Sequence, residues 1–462
     1  MAICVKFSAE ELLLATKGFF SNEAISISNI ILDSREVCSQ ADLFIPIVGD
    51  RFDAHNFIIE LLNGADKPGI ICINESYYNS NVLPEYNYLI VPDTTVALQD
   101  LANFHRNRLS CKVIAITGSN GKTSTKDICY SLTSNIVGEQ YVYATKKNTN
   151  NHIGVPINLL SLSEEHRFSF IELGTNHPGE IETLAKIVQP DISLITNIGA
   201  SHLEFFKSRE NVAKEKSSIY KYMKDGGVAI TDNAVLAYLK DLPDIPNIVI
   251  NSDELLSIKY LSSNLNETSF ELCFNDNNDK HLLRWNVLGK HQLINLKNSI
   301  AILHSLGFEK SEILNSIANV QVSSMRLELI VEKGVNWVND AYNANPDSTL
   351  STIDFVCDNG LDSDSNLLIL GDMLELGDMA YTEHYNIIEY LFTNLKNIRL
   401  AFVGKYYNKV LLDLPHTPNN EIFRFINSED AAIVLKQEIK AGNYIVLKGS
   451  RGIALEKIMR GY

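Results

Sequence analysis

The segment TGSNGKTS, at positions 117–124, places two glycines, a lysine and four hydroxyl side chains directly after an apolar run. Residues 113–116 are expected to form a buried strand that turns sharply into a helix, and the N–H groups opening such a helix bind anions. Lys122 would neutralise the outer phosphates of a nucleotide, and the Thr123 hydroxyl would reach a magnesium ion. The other phosphate-loop candidates are Gly118, Ser119, Asn120, Gly121 and Ser124.

The strict pattern of such loops has a glycine where this chain has Ile116, and a strand-to-helix turn of this composition can be purely structural. The Gly-Lys-Thr frame favours nucleotide binding. A second apolar run, FSFIELG, ends in Glu172, and carboxylates at strand ends commonly hold magnesium, although a strand can also end in a solvated glutamate. His202 follows a third run, ISLITNI, either as a metal ligand or as a turn residue.

Composition restricts the class of protein. The chain has 462 residues, of which 45% are hydrophobic, and a net charge of -16, which argues against a nucleic-acid partner. Its seven cysteines form no CxxC pair, which disfavours a zinc site and a disulfide framework and fits a reducing compartment. Two glutamates interrupt the first apolar stretch, and no run approaches the roughly 18 residues of a membrane span. We expect a cytoplasmic monomer without membrane contact.

The order of the apolar runs predicts three domains in an α/β fold. Residues 1–107 mix short strands and helices in a smaller first domain. Residues 108–320 alternate strands and helices, which predicts a doubly wound, mostly parallel sheet with its ligand at the carboxyl ends of the strands. Residues 321–462 repeat this alternation in a Rossmann-like third domain. The stretch FNDNNDKH predicts a hairpin turn.

Eight motifs follow in one order, namely TGSNGKTS, NTNNHIGVP, ELGTNHPGEI, SHLEFF, GKHQLINLKNS, DAYNANPDS, GDMLELG and KGSR. Together they resemble the Mur ligases over nearly the whole chain. Two of these motifs, DAYNANP and ELGTNHPGEI, resemble those of the branch that adds D-alanyl-D-alanine to UDP-N-acetylmuramoyl-tripeptide. The resemblance implies an ATP-dependent amide ligase that acts through an acyl phosphate and completes the cytoplasmic peptidoglycan precursor. Loops of this family typically begin with Thr-Gly, so Ile116 conforms to it.

The resemblance also implies two magnesium ions. Thr123 and Glu172 would hold the first ion, and His202 would assist the second. Lys216, fourteen residues after that histidine, would be carbamylated and would ligate the second ion, whereas the residues alone favour a solvated helix face for VAKEKSSIY. The catalytic residues implied are Lys122, His202, Lys216 and Arg326.

Nucleotide and substrate contacts follow from the same motifs. The nucleotide contacts implied are His291, Asn295, Arg326, Asp340, Tyr342 and Asn343. The substrate contacts implied are Ser34, Arg35, Asn150, Asn151, Asn345, Lys448, Ser450 and Arg451. Gln292 replaces an asparagine of the family motif, and Arg326 follows a methionine in place of a glycine. Asp53 and His55 are interpreted as structural.

Two other functions remain open. A MurE-type or folylpolyglutamate synthase-like ligase would keep the central domain and change the other two, and DAYNANP speaks against it. A non-enzymatic ATP-binding switch would need the loop without acceptor machinery, and Glu172, His202 and Lys216 speak against that. The sequence leaves open the third residue of the stem peptide and the tolerance for other dipeptides.

Overall fold

The structure is a computed structural model that describes residues 2–36, 38–49, 52–240, 242, 249–322, 324–414 and 420–462. Within these ranges the chain forms three six-stranded sheets in succession and a three-stranded sheet between the second and the third. The predicted mixed α/β class is confirmed. None of the described helices combines the length and apolar composition that crossing a membrane requires.

The first sheet has the order β1-β3-β4-β5-β6-β2, with antiparallel strands at its two edges and parallel pairing between β3 and β6. Its strands are β1 (Ile3–Phe7), β2 (Phe19–Phe20), β3 (Ile27–Ile31), β4 (Asp42–Phe44), β5 (Ile70–Asn74) and β6 (Tyr88–Val91). Its helices are α1 (Ala9–Thr16), α2 (Ile58–Asn63), α3 (Glu75–Ser80) and α4 (Thr94–Arg108). Helix α4 joins it to the second sheet, because the buried Arg106 donates to Asp191 at 2.6 Å.

The second sheet is parallel throughout and has the order β12-β11-β10-β7-β9-β8. Its strands are β7 (Lys112–Thr117), β8 (Val142–Ala144), β9 (Phe168–Glu172), β10 (Ile192–Ile195), β11 (Val228–Thr231) and β12 (Val249–Asn251). Its helices are α5 (Lys122–Val137), α6 (Gly154–Leu160), α7 (Glu180–Val188), α8 (Leu203–Phe206), α9 (Arg209–Ser217), α10 (Asn233–Leu239) and α11 (Ser252–Leu255). Strand order reverses between β7 and β10, which is where such sheets bind ligands. The apolar runs VIAITG, FSFIELG, ISLITNI and GGVAITD predict four strands, which are confirmed as β7, β9, β10 and β11.

An antiparallel sheet of β13 (Leu256–Ser263), β14 (Thr268–Phe274) and β15 (Asp279–Trp285) follows. The hairpin turn predicted from FNDNNDKH is confirmed, since it joins β14 to β15. The separate sheet itself was not predicted, because its strands follow β12 without a long helical segment to mark the change. Helices α12 (Gln292–Ser305) and α13 (Lys310–Ser316) come next, and α12 packs against α5 behind the phosphate loop.

The third sheet has the order β16-β17-β21-β18-β19-β20 and is parallel except for β16. Its strands are β16 (Glu328–Glu332), β17 (Val335–Asp340), β18 (Leu367–Gly371), β19 (Arg399–Val403), β20 (Ile422–Phe425) and β21 (Tyr444–Lys448). Its helices are α14 (Pro346–Asp358), α15 (Ala380–Asn394), α16 (Lys405–Asp413), α17 (Ser428–Glu438) and α18 (Glu456–Gly461). The apolar runs VNWVNDAY, NLLILGDM, IRLAFVGK and YIVLKGS predict four strands, which are confirmed as β17, β18, β19 and β21. The domain boundaries stay predictions.

Candidate functional site

A cleft of about 1240 Å³ lies between the second and third sheets. Loops after β7, β9 and β10 line one side, which we call the phosphate wall (residues 118–124, 172–180 and 196–202). Loops after β17, β18 and β21 line the other side, which we call the opposite wall (residues 340–348, 374–375 and 448–452). The carboxyl ends of two parallel sheets therefore face one another across a single space.

The phosphate loop is held by close backbone packing. Gly118 has a φ of 152°, and a Cβ there would overlap Oγ1 of Thr196 at the end of β10. Gly121 has a φ of 80°, and a Cβ there would overlap the side chain of Asn295 on α12. Both positions thus need glycine for space and for backbone conformation. The first turn of α5 follows directly and presents its N–H groups to the cleft.

Lys122 folds back over the loop, and its Nζ donates to the carbonyl oxygen of Gly118 at 2.7 Å. Burial lowers the pKa of this ammonium, and the carboxylate of Glu172 opposes the shift. A phosphate above the loop would meet this cation together with the N–H groups of α5. The residues predicted for an anion site therefore lie together around Lys122.

Thr123 and Glu172 come together as the spacing of the motifs suggests. The hydroxyl of Thr123 donates to Oε2 of Glu172 at 2.8 Å, and the guanidinium of Arg326 donates to the same hydroxyl at 2.9 Å. Asn150 donates to Oε1 of Glu172 at 2.8 Å. The carboxylate is only 3% exposed, so these contacts fix its orientation at the end of β9.

The opposite wall carries a buried ion pair. Nζ of Lys448 donates to Oδ2 of Asp340 at 2.7 Å, and Thr352 donates to the same oxygen at 2.8 Å. His291 lies close to this pair, and burial lowers the pKa of its imidazole. The ring of Tyr342 stacks against the guanidinium of Arg326, whose carbon lies 4.7 Å from the ring centre.

One amide pair joins the two walls directly. Asn345, which caps α14, donates to Oδ1 of Asn120 at 2.7 Å, and Asn120 donates back to Asn345 at 3.2 Å. The phosphate loop is thus in contact with the third sheet.

Comparison with known proteins identifies the family. Residues 116–303 match the Mur ligase middle domain, and residues 325–451 match the Mur ligase glutamate ligase domain. The chain is 31% identical to UDP-N-acetylmuramoyl-tripeptide–D-alanyl-D-alanine ligase of Bacillus subtilis, over 99% of this chain and 98% of that protein. It belongs to the MurF branch of the Mur ligases. The protein is therefore an ATP-dependent ligase.

Solved structures of Mur ligases agree with this assignment. MurF from Acinetobacter baumannii superposes with a TM-score of 0.86 at 28% identity, covering 99% of each chain. MurF ligase from Thermotoga maritima, solved in complex with ADP, superposes with a TM-score of 0.80 at 25% identity, covering 94% of this chain and 96% of that one. The three-domain Mur ligase architecture is therefore that of this chain.

His202 and Lys216, the two residues predicted for a second metal ion, have different surroundings. His202 has a φ of 52°, and its Nδ1 lies 2.7 Å from Oε2 of Glu375 in the opposite wall. Lys216 is only 2% exposed, and burial together with the charge of Lys122 holds the pKa of its amine well below the ordinary value. Among the described residues, no carboxylate lies within ion-pair distance of that amine.

The residues alone favour a solvated face for the helix that carries Lys216, but part of this helix is buried. Lys214 is exposed, but Glu215 is buried and accepts hydrogen bonds from the N–H groups of Gly179 and Ile181 at 2.7 and 2.8 Å. Glu215 thereby caps α7. The solvated alternative is wrong for Glu215 and Lys216, because α9 packs this face against α7.

The oxygen donors at Thr123 and Glu172 suit magnesium. A hydroxyl and a carboxylate 2.8 Å apart are hard ligands, which Mg²⁺ prefers in proteins, and it commonly takes one or two carboxylates with substrate phosphates. Within the described ranges, no three His, Cys, Asp or Glu side chains converge on one point as a ready-made metal centre. The donor set therefore fits an ion whose remaining ligands come from a nucleotide and from water.

Some predicted substrate residues lie apart from the cleft or are already engaged. Arg35 is exposed on the first sheet and forms two hydrogen bonds to Asp33, at 2.8 and 2.6 Å. Neither Ser34 nor Arg35 is among the described residues that line the cleft. Asn151 lines it, but its side-chain oxygen accepts from the N–H of Gly154 at 2.8 Å. Their roles stay predictions.

The terminal KGSR motif and the first-sheet histidine have structural partners. Ser450 accepts a hydrogen bond from the N–H of Leu374 at 2.9 Å, which ties the loops after β18 and β21 together. Arg451 lines the cleft and pairs with Glu456 at 2.9 Å. His55 is buried, with its Nδ1 2.5 Å from Asp53, as the structural interpretation of these two residues predicts.

Three further residues line the cleft, namely Asp347, Glu375 and Gln292. The motifs predict no site role for Asp347 or Glu375, whereas Gln292 stands in the motif that the resemblance assigns to the nucleotide, in place of an asparagine. Asp347 and Glu375 lie inside the quoted motifs DAYNANPDS and GDMLELG, so the motifs marked the loops but not these carboxylates. The amide oxygen of Gln292 accepts from Asn295 at 2.7 Å, and its nitrogen donates to Ser124 at 3.4 Å. Gln292 thus links α12 to the first turn of α5.

Proposed function

We propose that this ligase joins the amine of D-alanyl-D-alanine to the terminal carboxylate of UDP-N-acetylmuramoyl-tripeptide at the expense of ATP. The product would be UDP-N-acetylmuramoyl-pentapeptide, the last cytoplasmic precursor of peptidoglycan. The observation that carries the proposal is the cleft, where the phosphate loop faces the buried Asp340–Lys448 pair across the ends of two parallel sheets. Similarity along the full chain to ligases of this name supports the choice of substrates.

The reaction has two steps. An oxygen of the acceptor carboxylate attacks the γ-phosphorus of ATP, and the bond from that phosphorus to the bridging oxygen of ADP breaks. The amine of the dipeptide then attacks the acyl carbon, loses a proton, and inorganic phosphate leaves. The first step brings two anions together, so Lys122 and Arg326 would offset their repulsion and the charge on the transferred phosphoryl group.

Metal binding would involve both of the predicted groups of metal ligands. Thr123 and Glu172 would hold one Mg²⁺, and His202 with a carbamate on Lys216 would hold a second. The bound ions would neutralise charge on the phosphates and the acceptor carboxylate. The burial of Lys216 without a carboxylate partner supports the carbamate, because a neutral amine is the form that adds carbon dioxide and the product is an anion facing the charge of Lys122.

The remaining sites divide between the domains. Residues 108–320 would bind ATP, with His291 and Asn295 near the adenine. Residues 321–462 would contribute Asp340, Tyr342 and Asn343 to the nucleotide. The substrate contacts in these two domains would come from Asn150, Asn151, Asn345, Lys448, Ser450 and Arg451. Residues 1–107 would bind the UDP-sugar end through Ser34 and Arg35, and the enzyme would act as a monomer.

A panel of acceptors tests the proposal. Phosphate release from ATP should require both UDP-N-acetylmuramoyl-tripeptide and D-alanyl-D-alanine, and mass spectrometry should detect the pentapeptide product. Acceptors with lysine or diaminopimelate as third residue, and dipeptides other than D-alanyl-D-alanine, would define specificity. Release that needs the UDP-muramoyl-dipeptide and a single amino acid, or a folate, would overturn the proposal in favour of another amide ligase.

A further inference from the structure

The short stretch that carries His202 is attached to the third sheet. We call residues 199–206 the histidine segment; it follows β10 and includes α8. Asp347, in the first turn of α14, accepts a hydrogen bond from the N–H of Ala200 at 3.0 Å through Oδ2. Its Oδ1 accepts from the guanidinium of Arg209 at 2.9 Å, just after the segment at the start of α9. One carboxylate of the third sheet thus contacts the start of the histidine segment and the first residue of α9, which follows the segment.

The approach is close enough to exclude a side chain at Gly199, where a Cβ would overlap Oδ2 of Asp347. The N–H of Gly199 donates to Oγ of Ser119 in the phosphate loop at 2.9 Å. The segment therefore lies between the phosphate loop and α14, and contacts both. A second attachment comes from the carbonyl oxygen of Glu375, which accepts from the N–H of Glu204 at 3.2 Å.

These contacts point to a role in placing His202. Its backbone has a positive φ, which a histidine adopts only at a cost and which surrounding contacts must maintain. Its side chain reaches Glu375 in the opposite wall. Since both attachments come from the third sheet, His202 has this position only while the third sheet is docked on the second.

We propose that Asp347 and Arg209 are positioning residues, which fix the histidine segment on the third sheet and so place His202 against the reacting phosphates. The inference rests on the proposed function for its catalytic consequence, but not for its structural one. Arg209 is not among the described residues that line the cleft, so it acts through Asp347 and not on a substrate. The pair is about half exposed, and a surface ion pair alone contributes little stability, so the loss should affect geometry more than folding.

Two substitutions test the pair of Asp347 and Arg209. Two matched control substitutions lie on other helices of the third sheet. Asp347→Ala removes both contacts, and Arg209→Met removes the ion pair but leaves the hydrogen bond from Ala200. Glu429 occupies the same second position of α17 that Asp347 occupies in α14, and it pairs with Lys457 away from the cleft. Glu429→Ala and Lys457→Met therefore remove an equivalent carboxylate and cation without touching the histidine segment.

Hydrogen exchange of the free protein is the first measurement. Asp347→Ala should speed exchange in peptides covering 199–206, because the N–H of Ala200 loses its acceptor, and should leave β10 unchanged. Turnover is the second measurement. A small misplacement of a catalytic group can cost up to about 10²-fold, and we expect roughly a tenfold loss of kcat because the Glu375 attachment remains. KM for ATP should change little, Arg209→Lys should retain most of kcat, and the two control variants should match the wild type.

Unchanged exchange of 199–206 in Asp347→Ala would overturn the inference, and so would a kcat within twofold of the wild type. An equal loss of kcat in Glu429→Ala would also overturn it, because the effect would then follow from any damage to the third sheet. If the wild type shows no ligase activity with any acceptor, the proposed function fails while the exchange result still decides the attachment.

Discussion

The two walls of the cleft are built in different ways. In the phosphate wall, the loop, Lys122 and the strand ends contact one another within a single parallel sheet, and glycines fix the loop against β10 and α12. In the opposite wall, Asn345 and Asp347 reach partners in the other sheet, more than a hundred residues away along the chain. The phosphate loop is therefore built within the second sheet, whereas the histidine segment and the opposite wall take their places in the site only when the sheets are docked.

This difference separates the contacts that would bind the nucleotide from the contacts that form only when the two sheets dock. A nucleotide can contact the loop and the N–H groups of α5 without any residue of the third sheet. Arg326 and the Asn120–Asn345 pair belong to the docked arrangement, because both cross from one sheet to the other. Substitutions in the phosphate wall should therefore affect the chemical step directly, and substitutions at the crossing contacts should have smaller effects that depend on docking.

The largest effect is expected at Lys122. Lys122→Ala should lower kcat by about 10³-fold, because this cation faces the charge that develops on the transferred phosphoryl group. The fold should persist, since the Lys122 side chain bonds only loop carbonyls. Steady-state kinetics and a thermal melt would measure both quantities.

Lys112→Ala is the matched control, because Lys112 begins β7, the strand that leads into the phosphate loop, is 58% exposed and pairs with Asp191 outside the cleft. It should keep wild-type turnover. Near-normal kcat in Lys122→Ala would remove this lysine from the mechanism and would contradict the assignment of the phosphate wall as the chemical side.

A smaller effect is expected at Lys216. Lys216→Ala should lower kcat by about 10²-fold if a carbamate at this position holds a metal ion. Added acetate or formate should restore part of the rate by supplying the lost carboxylate, and removal of bicarbonate should slow the wild type reversibly. Lys214→Ala, which removes an exposed lysine from the same helix, should have no effect. Full activity of Lys216→Ala, or a bare ammonium in a crystal of the active, magnesium-loaded enzyme, would exclude the carbamate.

The sequence predicted the phosphate wall better than the opposite wall, for a physical reason. A phosphate loop is local: strand, glycines and helix start lie within a dozen residues, so β7, Lys122 and Thr123 could be placed before the structure was known. Glu172 and Thr123 needed only the rule that neighbouring parallel strands end at one edge. The buried face of a short polar helix has no such pattern, which is why the residues alone favour a solvated position for Glu215.

Contacts between sheets leave no pattern in a single sequence. The partners of Asp347, which are Ala200 and Arg209, precede it by 147 and 138 residues, and no spacing rule joins them. The motif resemblance marked the loops that meet in the cleft, but it could not show which side chains cross it. It also predicts Arg35 at a substrate site, and this role stays a prediction, because the exposed side chain is paired with Asp33 and lies outside the cleft.

The smallest effect is expected at the amide pair between the walls. Asn345→Ala removes the contact with Asn120 and also the cap of α14, where the side chain accepts from the N–H of Ser348 at 3.0 Å. Loss of such a cap costs about 1 kcal/mol of folding free energy.

The matched control is Asn427→Ala, because Asn427 caps α17 in the same sheet through the N–H of Asp430 at 2.8 Å and lies outside the cleft. Both variants should lose similar thermal stability, so any further change in Asn345→Ala reports the contact between walls. We expect KM for ATP to rise a fewfold in Asn345→Ala alone, because its partner Asn120 belongs to the phosphate loop. Equal KM values in the two variants would show that the phosphate wall binds nucleotide without help from the third sheet, and the two walls would then be independent in binding as well as in construction.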